Sequence, residues 1–173
     1  MTMTDLKALP VSAVTESPAH LYLWTTNAFL CEAHELAKAW GFRPNTVLTW
    51  GKVRDTGEPS MRMGYYFRGA TEHCLFAVRG SLRLLTKKAK PTLYLSRRLP
   101  HSVKPDWIYE LCEECSPGPR LELFARRARP GWVTLGNEAD GLDMKDSLIL
   151  LAQGKHPCYS VEKHGENSNE QDV

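Results

Sequence analysis

The segment from His101 to Glu138 constrains the fold more than any other, because local chemistry starts and stops each of its elements. Pro105 suits the first turn of a helix, where its missing N–H would have no intrahelical partner. Asp106 adds a negative charge at the positive end of that helix dipole. Ile108, Leu111, Cys112 and Cys115 recur at three- and four-residue steps, which gives one apolar helix face. Ser116-Pro117-Gly118-Pro119 cannot continue a helix, so the chain must turn. Leu121, Leu123, Phe124 and Ala125 then form a short apolar run, as expected of a strand covered on both faces. Arg126, Arg127, Asn137 and Glu138 lie just beyond the C-terminal end of that run. In open α/β sheets that is the end where ligands bind.

The chain ahead of this segment alternates strand and helix patterns. Met1 to Val14 fits a short helix, with Thr4 as its N-cap, followed by a proline break. His20 to Thr26 is an apolar run ending in hydroxyls and reads as a central strand. Thr26 or Asn27 caps the next helix, whose apolar face carries Phe29, Leu30, Ala33, Leu36, Ala37 and Trp40. Gly41 stands where a C-terminal helix glycine belongs. Arg43 to Val53 predicts a strand, Arg54 to Met63 a polar loop, and His73 to Arg79 a further strand behind an aromatic loop. Residues 140–146 are acidic and turn-like, and Leu148 to Ala152 predicts a short extra helix. From Lys163 onward only the last valine is apolar, which predicts disorder. Alternating elements of this kind argue for a layered α/β sheet.

At 173 residues the chain suits one domain with a sizeable core. A net charge of +2 leaves nucleic-acid affinity to local patches rather than to the whole surface. The strongest such patch runs through Arg83, Lys87, Lys88, Lys90, Arg97 and Arg98, which fit either phosphate contacts or a solvated loop. No apolar run approaches membrane-spanning length, so no membrane association is expected. Five cysteines without a small-scaffold pattern indicate reduced thiols in a cytoplasmic protein. Cys112-x-x-Cys115 with Cys31-x-x-His34 could supply four zinc ligands, but both pairs fall inside predicted helices, where that spacing also serves packing. No metal is expected.

Four motifs stand in order along the organising segment: Lys104-Pro105-Asp106, Cys115 to Arg120, Glu122 to Arg126, and Trp132 to Asn137. With this spacing they resemble the adenine-N6 methyltransferases named for the seventy-kilodalton subunit of mRNA adenosine methyltransferase, a family that includes bacterial and phage DNA enzymes. Cys115 departs from the family's usual Leu, and Trp107 from its usual Glu. The resemblance covers about Asp5 to Gly141. It implies an α/β, Rossmann-like S-adenosylmethionine-dependent methyltransferase fold, circularly permuted and lacking its first strand or strands. The domain organisation expected is a partial methyltransferase domain over 1–141, an extension over 142–162 and a disordered tail over 163–173.

The resemblance also assigns roles. Lys104 pairs with the methionyl carboxylate of S-adenosylmethionine, Arg126 lies near the ribose, Asn137 and Glu138 meet the adenosine, and Ser102 is a weaker member of the same set. Trp24, Thr25, Thr26 and Asn27 resemble the strand end that borders the substrate pocket. Arg68 and Glu72 are the polar members of the loop beside the target base. Trp50 fits either that pocket or the core. The family's catalytic Asp-Pro-Pro-Trp is not present, since no two prolines are adjacent. By the permutation it would fall ahead of Met1, so no catalytic residue is assigned.

The resemblance therefore implies methyl transfer to adenine-N6 in nucleic acid, DNA before RNA, by a chain inactive alone and served by a second polypeptide supplying the catalytic half. The competing reading is a non-catalytic nucleic-acid-binding or scaffold subunit that partners an active enzyme.

Overall fold

The computed structural model describes residues 1–100 and 102–157. The expected tail, and the last residues of the expected extension, lie outside the described residues. The elements are α1 (Met3–Lys7), β1 (Ala19–Thr25), α2 (Leu30–Ala39), β2 (Arg43–Val53), β3 (Thr71–Arg79), β4 (Leu93–Arg97), α3 (Trp107–Cys115), β5 (Leu121–Leu123), β6 (Val133–Leu135) and α4 (Met144–Ala152). They group into two compact units. The first holds Met1–Lys7 and Glu16–Pro117; the second holds Ala8–Thr15 and the residues from Gly118 onward.

In the first unit four strands form a sheet in the order β1-β3-β2-β4. β3 is antiparallel to both β1 and β2, while β4 runs parallel to β2. The chain is thus mixed α/β with a mostly antiparallel sheet, not the parallel sheet that a simple alternation of strand and helix suggests. β4 was not expected at all. Its Leu-Tyr-Leu alternation is five residues long, lies in the basic run and pairs on one side only.

Strand alternation sends even-numbered side chains of β1, β3, β4 and of β2 from Thr46 onward to one face and odd-numbered ones to the other, the β2 register shifting between Pro44 and Thr46. α3 packs on the even face, where Trp107 stacks on Tyr94 with ring centroids 4.1 Å apart and meets Trp24 edge-on. α2 packs against β1, β2 and β3 and buries Ala33, Leu36 and Ala37. It ends as its sequence predicts: Gly41 takes φ +82°, Gly41 N–H donates to Lys38 O, and Phe42 N–H donates to Ala37 O. That pair of bonds satisfies carbonyls the helix leaves open.

A polar chain fastens the end of α3 to the sheet. Ser116 Oγ lies 2.9 Å from Tyr22 Oη and 2.8 Å from His20 Nδ1, and His20 Nε2 lies 3.2 Å from Leu82 O. Every group is satisfied if Tyr22 donates to Ser116, Ser116 to His20, and His20 to Leu82. Burial holds the His20 pKa below its ordinary value, only partly opposed by the Leu82 carbonyl, so this imidazole stays neutral. A His with a depressed folded-state pKa stabilises above its unfolded pKa, near 6.5, and loses that contribution as pH falls toward the folded value. Thermal unfolding followed from pH 7.5 to 5 is therefore expected to fall more steeply for the wild type than for His20→Gln. Parallel profiles would show that His20 is not held neutral by this network.

In the second unit β5 and β6 pair in parallel, Leu121 beside Val133 and Leu123 beside Leu135. Both strands therefore end on the same side. Gly136 is needed there, because a Cβ at its φ of +156° would stand 2.4 Å from Ala125 O. The acidic turn after it is not merely solvated. The Asp140 side chain is largely covered, accepting at Oδ2 from Ser147 Oγ at 2.7 Å and from His156 Nε2 at 3.1 Å, and at Oδ1 from two backbone N–H groups. Asp143 caps α4 by accepting from Lys145 N–H. These anchors explain why α4 begins four residues earlier than expected.

Candidate functional site

β2 and β3 hold the polar centre of the first unit. Trp50 pairs in register with Glu72, and Lys52 follows Trp50 on the same face. Glu72 receives two ammonium groups at once, Lys52 Nζ on Oε1 at 2.5 Å and Lys104 Nζ on Oε2 at 2.5 Å. Burial by itself raises the Glu72 pKa, but the hydrogen bonds and charges of Lys104 and Lys52 outweigh it and hold the carboxyl below its ordinary value. Two tryptophans complete the cluster. Lys104 Nζ stands 5.0 Å from the Trp24 ring centre, Lys52 Nζ stands 4.6 Å from that of Trp50, and the two rings meet edge-to-face. A cation over an indole face gains electrostatic attraction that grows as water is excluded. Beside them, Tyr94 Oη and Trp107 Nε1 are buried with no hydrogen-bond partner among the described residues.

Of the residues singled out from sequence, Trp24, Glu72 and Lys104 meet here. Of the two placements open to Trp50, the structure shows core packing: it is 1% exposed and its Nε1 donates to Ser96 Oγ at 2.8 Å. Thr25 and Asn27 are corrected in placement. Thr25 caps the following turn through Phe29 O, while Asn27 bonds to His73 Nε2 and Thr71 Oγ1. His73 also meets Thr49 Oγ1, so Asn27 belongs to a polar group on the odd face. Thr26 is exposed beside them. Arg68 stays in the exposed loop, where its Nε donates to Arg62 O. Ser102 is exposed and takes φ +67°, a left-handed conformation uncommon for a non-glycine residue.

Lys52 was missed. The signal was available, because a carboxylate at a strand start needs a partner, and a lysine stands on the neighbouring strand. Of the basic run, Lys90 pairs with Glu114, and Arg97 pairs with Asp55 at 2.5 Å. Cys112 and Cys115 lie buried on α3, while Cys31 is exposed on α2.

In the second unit Arg126 and Glu138 stand past the ends of β5 and β6 and form an exposed ion pair at 3.6 Å. Asn137 is exposed between Gly136 and Glu138. Phe124, immediately after β5, takes φ +60°. An exposed pair at that distance adds little stability. Its guanidinium, carboxylate and the neighbouring carboxamide are all exposed.

Comparison with known proteins places these residues in a family context. The MT-A70 family model matches residues 1–138. The N(6)-adenosine-methyltransferase MT-A70-like protein of Drosophila melanogaster is 32% identical over 164 residues, covering 90% of this chain and 27% of that protein. The human N(6)-adenosine-methyltransferase catalytic subunit METTL3 is 30% identical over 170 residues, covering 94% of this chain and 29% of that protein. The non-catalytic subunit MTB of the Arabidopsis thaliana N6-adenosine-methyltransferase is 29% identical over 89 residues, covering 49% and 12%. The chain spans less than a third of the length of these relatives.

Proposed function

Because the chain belongs to the MT-A70 family, we propose that it serves S-adenosylmethionine-dependent methylation of adenine-N6 in nucleic acid. The observation that carries this reading is the Lys104–Glu72–Lys52 cluster against Trp24, in which Lys104, Glu72 and Trp24 stand at positions resembling the family's motifs. The chemistry of the donors fits the cofactor. Lys104 offers an ammonium to a carboxylate, Arg126 and Glu138 suit ribose hydroxyls, and Asn137 suits an adenine edge. Ser102 adds a hydroxyl two residues before Lys104.

S-adenosylmethionine, held by these residues, would supply a methyl group on a sulfonium, leaving as S-adenosylhomocysteine once the methyl had passed to the adenine amino nitrogen, whose displaced proton would go to water. The lone pair of that nitrogen is delocalised into the ring, so rate must come from placement more than from activation. Within this chain Glu72 fixes the Lys104 ammonium, and Lys52 keeps Glu72 ionised, so both charges stand in place before any ligand arrives. Trp24 offers an apolar wall beside them.

The relatives' names specify adenosine, which points to a ribonucleotide acceptor. They lend no support to the expectation of DNA before RNA. The circular permutation of a Rossmann-like domain remains part of this proposal, supported by the motif order alone. The MTB match favours a second reading, a non-catalytic subunit that holds nucleic acid for an active partner.

One assay separates the readings. The chain, supplied with a segment carrying the Asp-Pro-Pro-Trp motif, is incubated with methyl-labelled S-adenosylmethionine and an adenine-containing oligonucleotide, which is then digested to nucleosides. Label in N6-methyladenine is the expected product. Label in another base, or at another adenine atom, would overturn the first reading. Cofactor binding without transfer would favour the second.

A further inference from the structure

Trp107 takes its orientation from other rings. Its Nε1 is buried without a hydrogen-bond partner among the described residues, whereas Trp50 Nε1 donates to Ser96 Oγ. Tyr94 Oη is likewise buried without one. The Trp107 and Tyr94 rings lie 6° from parallel with centroids 4.1 Å apart. Trp107 also meets Trp24 at 62°, with centroids 6.1 Å apart. Stacked and edge-on arrangements at these separations are the ones aromatic pairs favour.

The place of this stack couples it to the ion cluster. Trp50 pairs in register with Tyr94 on one side and with Glu72 on the other, so the three stand abreast on β4, β2 and β3. Trp107 is the first residue of α3, and Lys104 lies three residues before it with the buried Pro105 between them. Seating Trp107 on Tyr94 therefore sets where the helix start lands along that row, and with it the reach of Lys104 to Glu72. The same indole bears on Trp24, whose face lies under the Lys104 ammonium. Attraction between a cation and a ring depends on the cation staying over that face, so the tilt of Trp24 matters. We infer that Trp107, stacked on Tyr94, is the positioning residue that holds the Lys104 ammonium ready for a carboxylate ligand. The cluster suits such a ligand, because Lys104 and Lys52 share a single carboxylate and leave a surplus of positive charge. Motif wording conceals the role, since Trp107 stands where the resembling family usually carries Glu.

The inference rests on the proposed cofactor reading for its ligand, and the test separates the two. S-adenosylhomocysteine carries the carboxylate, while 5′-methylthioadenosine shares its adenosine and sulfur but lacks that group. Trp107→Ala is expected to weaken S-adenosylhomocysteine binding by about 10-fold, the scale of one lost aromatic contact, and to leave methylthioadenosine binding within about twofold. Trp107→Phe, which keeps a ring on Tyr94, should restore most of the loss. Tyr94→Phe should change neither affinity, because the face and not the hydroxyl carries the stack. Tyr94→Ala should reproduce Trp107→Ala, and the two together should weaken binding no further than either alone.

A second readout needs no ligand. Lys104 Nζ lies over the Trp24 face, so the ring current moves the Lys104 ε-methylene proton resonance upfield. That resonance is assigned by its absence from Lys104→Arg. It should return toward the ordinary lysine position in Trp107→Ala and stay upfield in Trp107→Phe. Equal S-adenosylhomocysteine affinity in wild type and Trp107→Ala, equal weakening of both ligands, or a Lys104 resonance unmoved by Trp107→Ala would each overturn the inference. A wild type that binds neither ligand would overturn the cofactor reading instead, and the Lys104 resonance would then decide the inference by itself.

Discussion

Trp50→Ala is expected to destabilise the first unit by about 3–5 kcal/mol, the range for truncating a buried aromatic. The indole is 1% exposed, so little of the cavity can be refilled by water or by collapse of the surface. Its loss also removes the donor to Ser96 Oγ and the ring beneath the Lys52 ammonium. A melting temperature lower by about 10 °C or more should follow. Trp50→Phe keeps most of the volume and is expected to cost much less, with cofactor affinity unchanged. If Trp50→Phe instead kept stability and lost binding, the tryptophan would be acting on a ligand and not on the core.

The second large effect concerns Lys104. Lys104→Ala is expected to weaken S-adenosylhomocysteine binding by about 30-fold or more, since removing one partner of a hydrogen-bonded charge pair costs roughly 2 kcal/mol or more. Glu72→Gln provides the informative contrast. It leaves the Lys104 and Lys52 ammonium groups without the carboxylate they share, so stability should fall at neutral pH. The Glu72 carboxyl is held below its ordinary pKa, so its contribution is present above about 4.3 and is lost as pH falls through the lower folded-state value. The stability gap between wild type and Glu72→Gln should accordingly close in acid. A gap that stayed constant through that range would mean Glu72 contributes shape and not charge.

Much of this arrangement was legible because it is local. The breaker run at Ser116 to Pro119 ended α3, and Gly41 ended α2, each through backbone rules that need no tertiary information. The candidate residues Trp24, Glu72 and Lys104 were identified through motif wording, and the structure brings them together. What escaped was non-local. Lys52 joins Glu72 across 20 residues, and Lys104 joins it across 32. β4 exists because Leu93 aligns beside Thr49 in parallel, a pairing that five residues of weak alternation cannot announce.

The antiparallel setting of β3 between β1 and β2 was equally unreadable, since strand direction depends on connections and not on side-chain period. Strand alternation then divides residues that look like one motif. Trp24 faces Lys104, while Thr25 and Asn27 serve a helix start and the histidine group on the opposite face. Asp140 illustrates the converse error. An acid in a glycine-containing turn resembles a solvated surface residue, yet four hydrogen bonds make it an internal anchor.

The most direct test of the account is calorimetric titration of S-adenosylhomocysteine into the wild-type chain, with Lys104→Ala and Asn137→Ala run beside it. The account predicts saturable heat for the wild type and a marked loss of affinity in each variant, with all three melting cooperatively. A wild-type chain that is folded yet gives no binding heat, or variants that bind as tightly as the wild type, would contradict it.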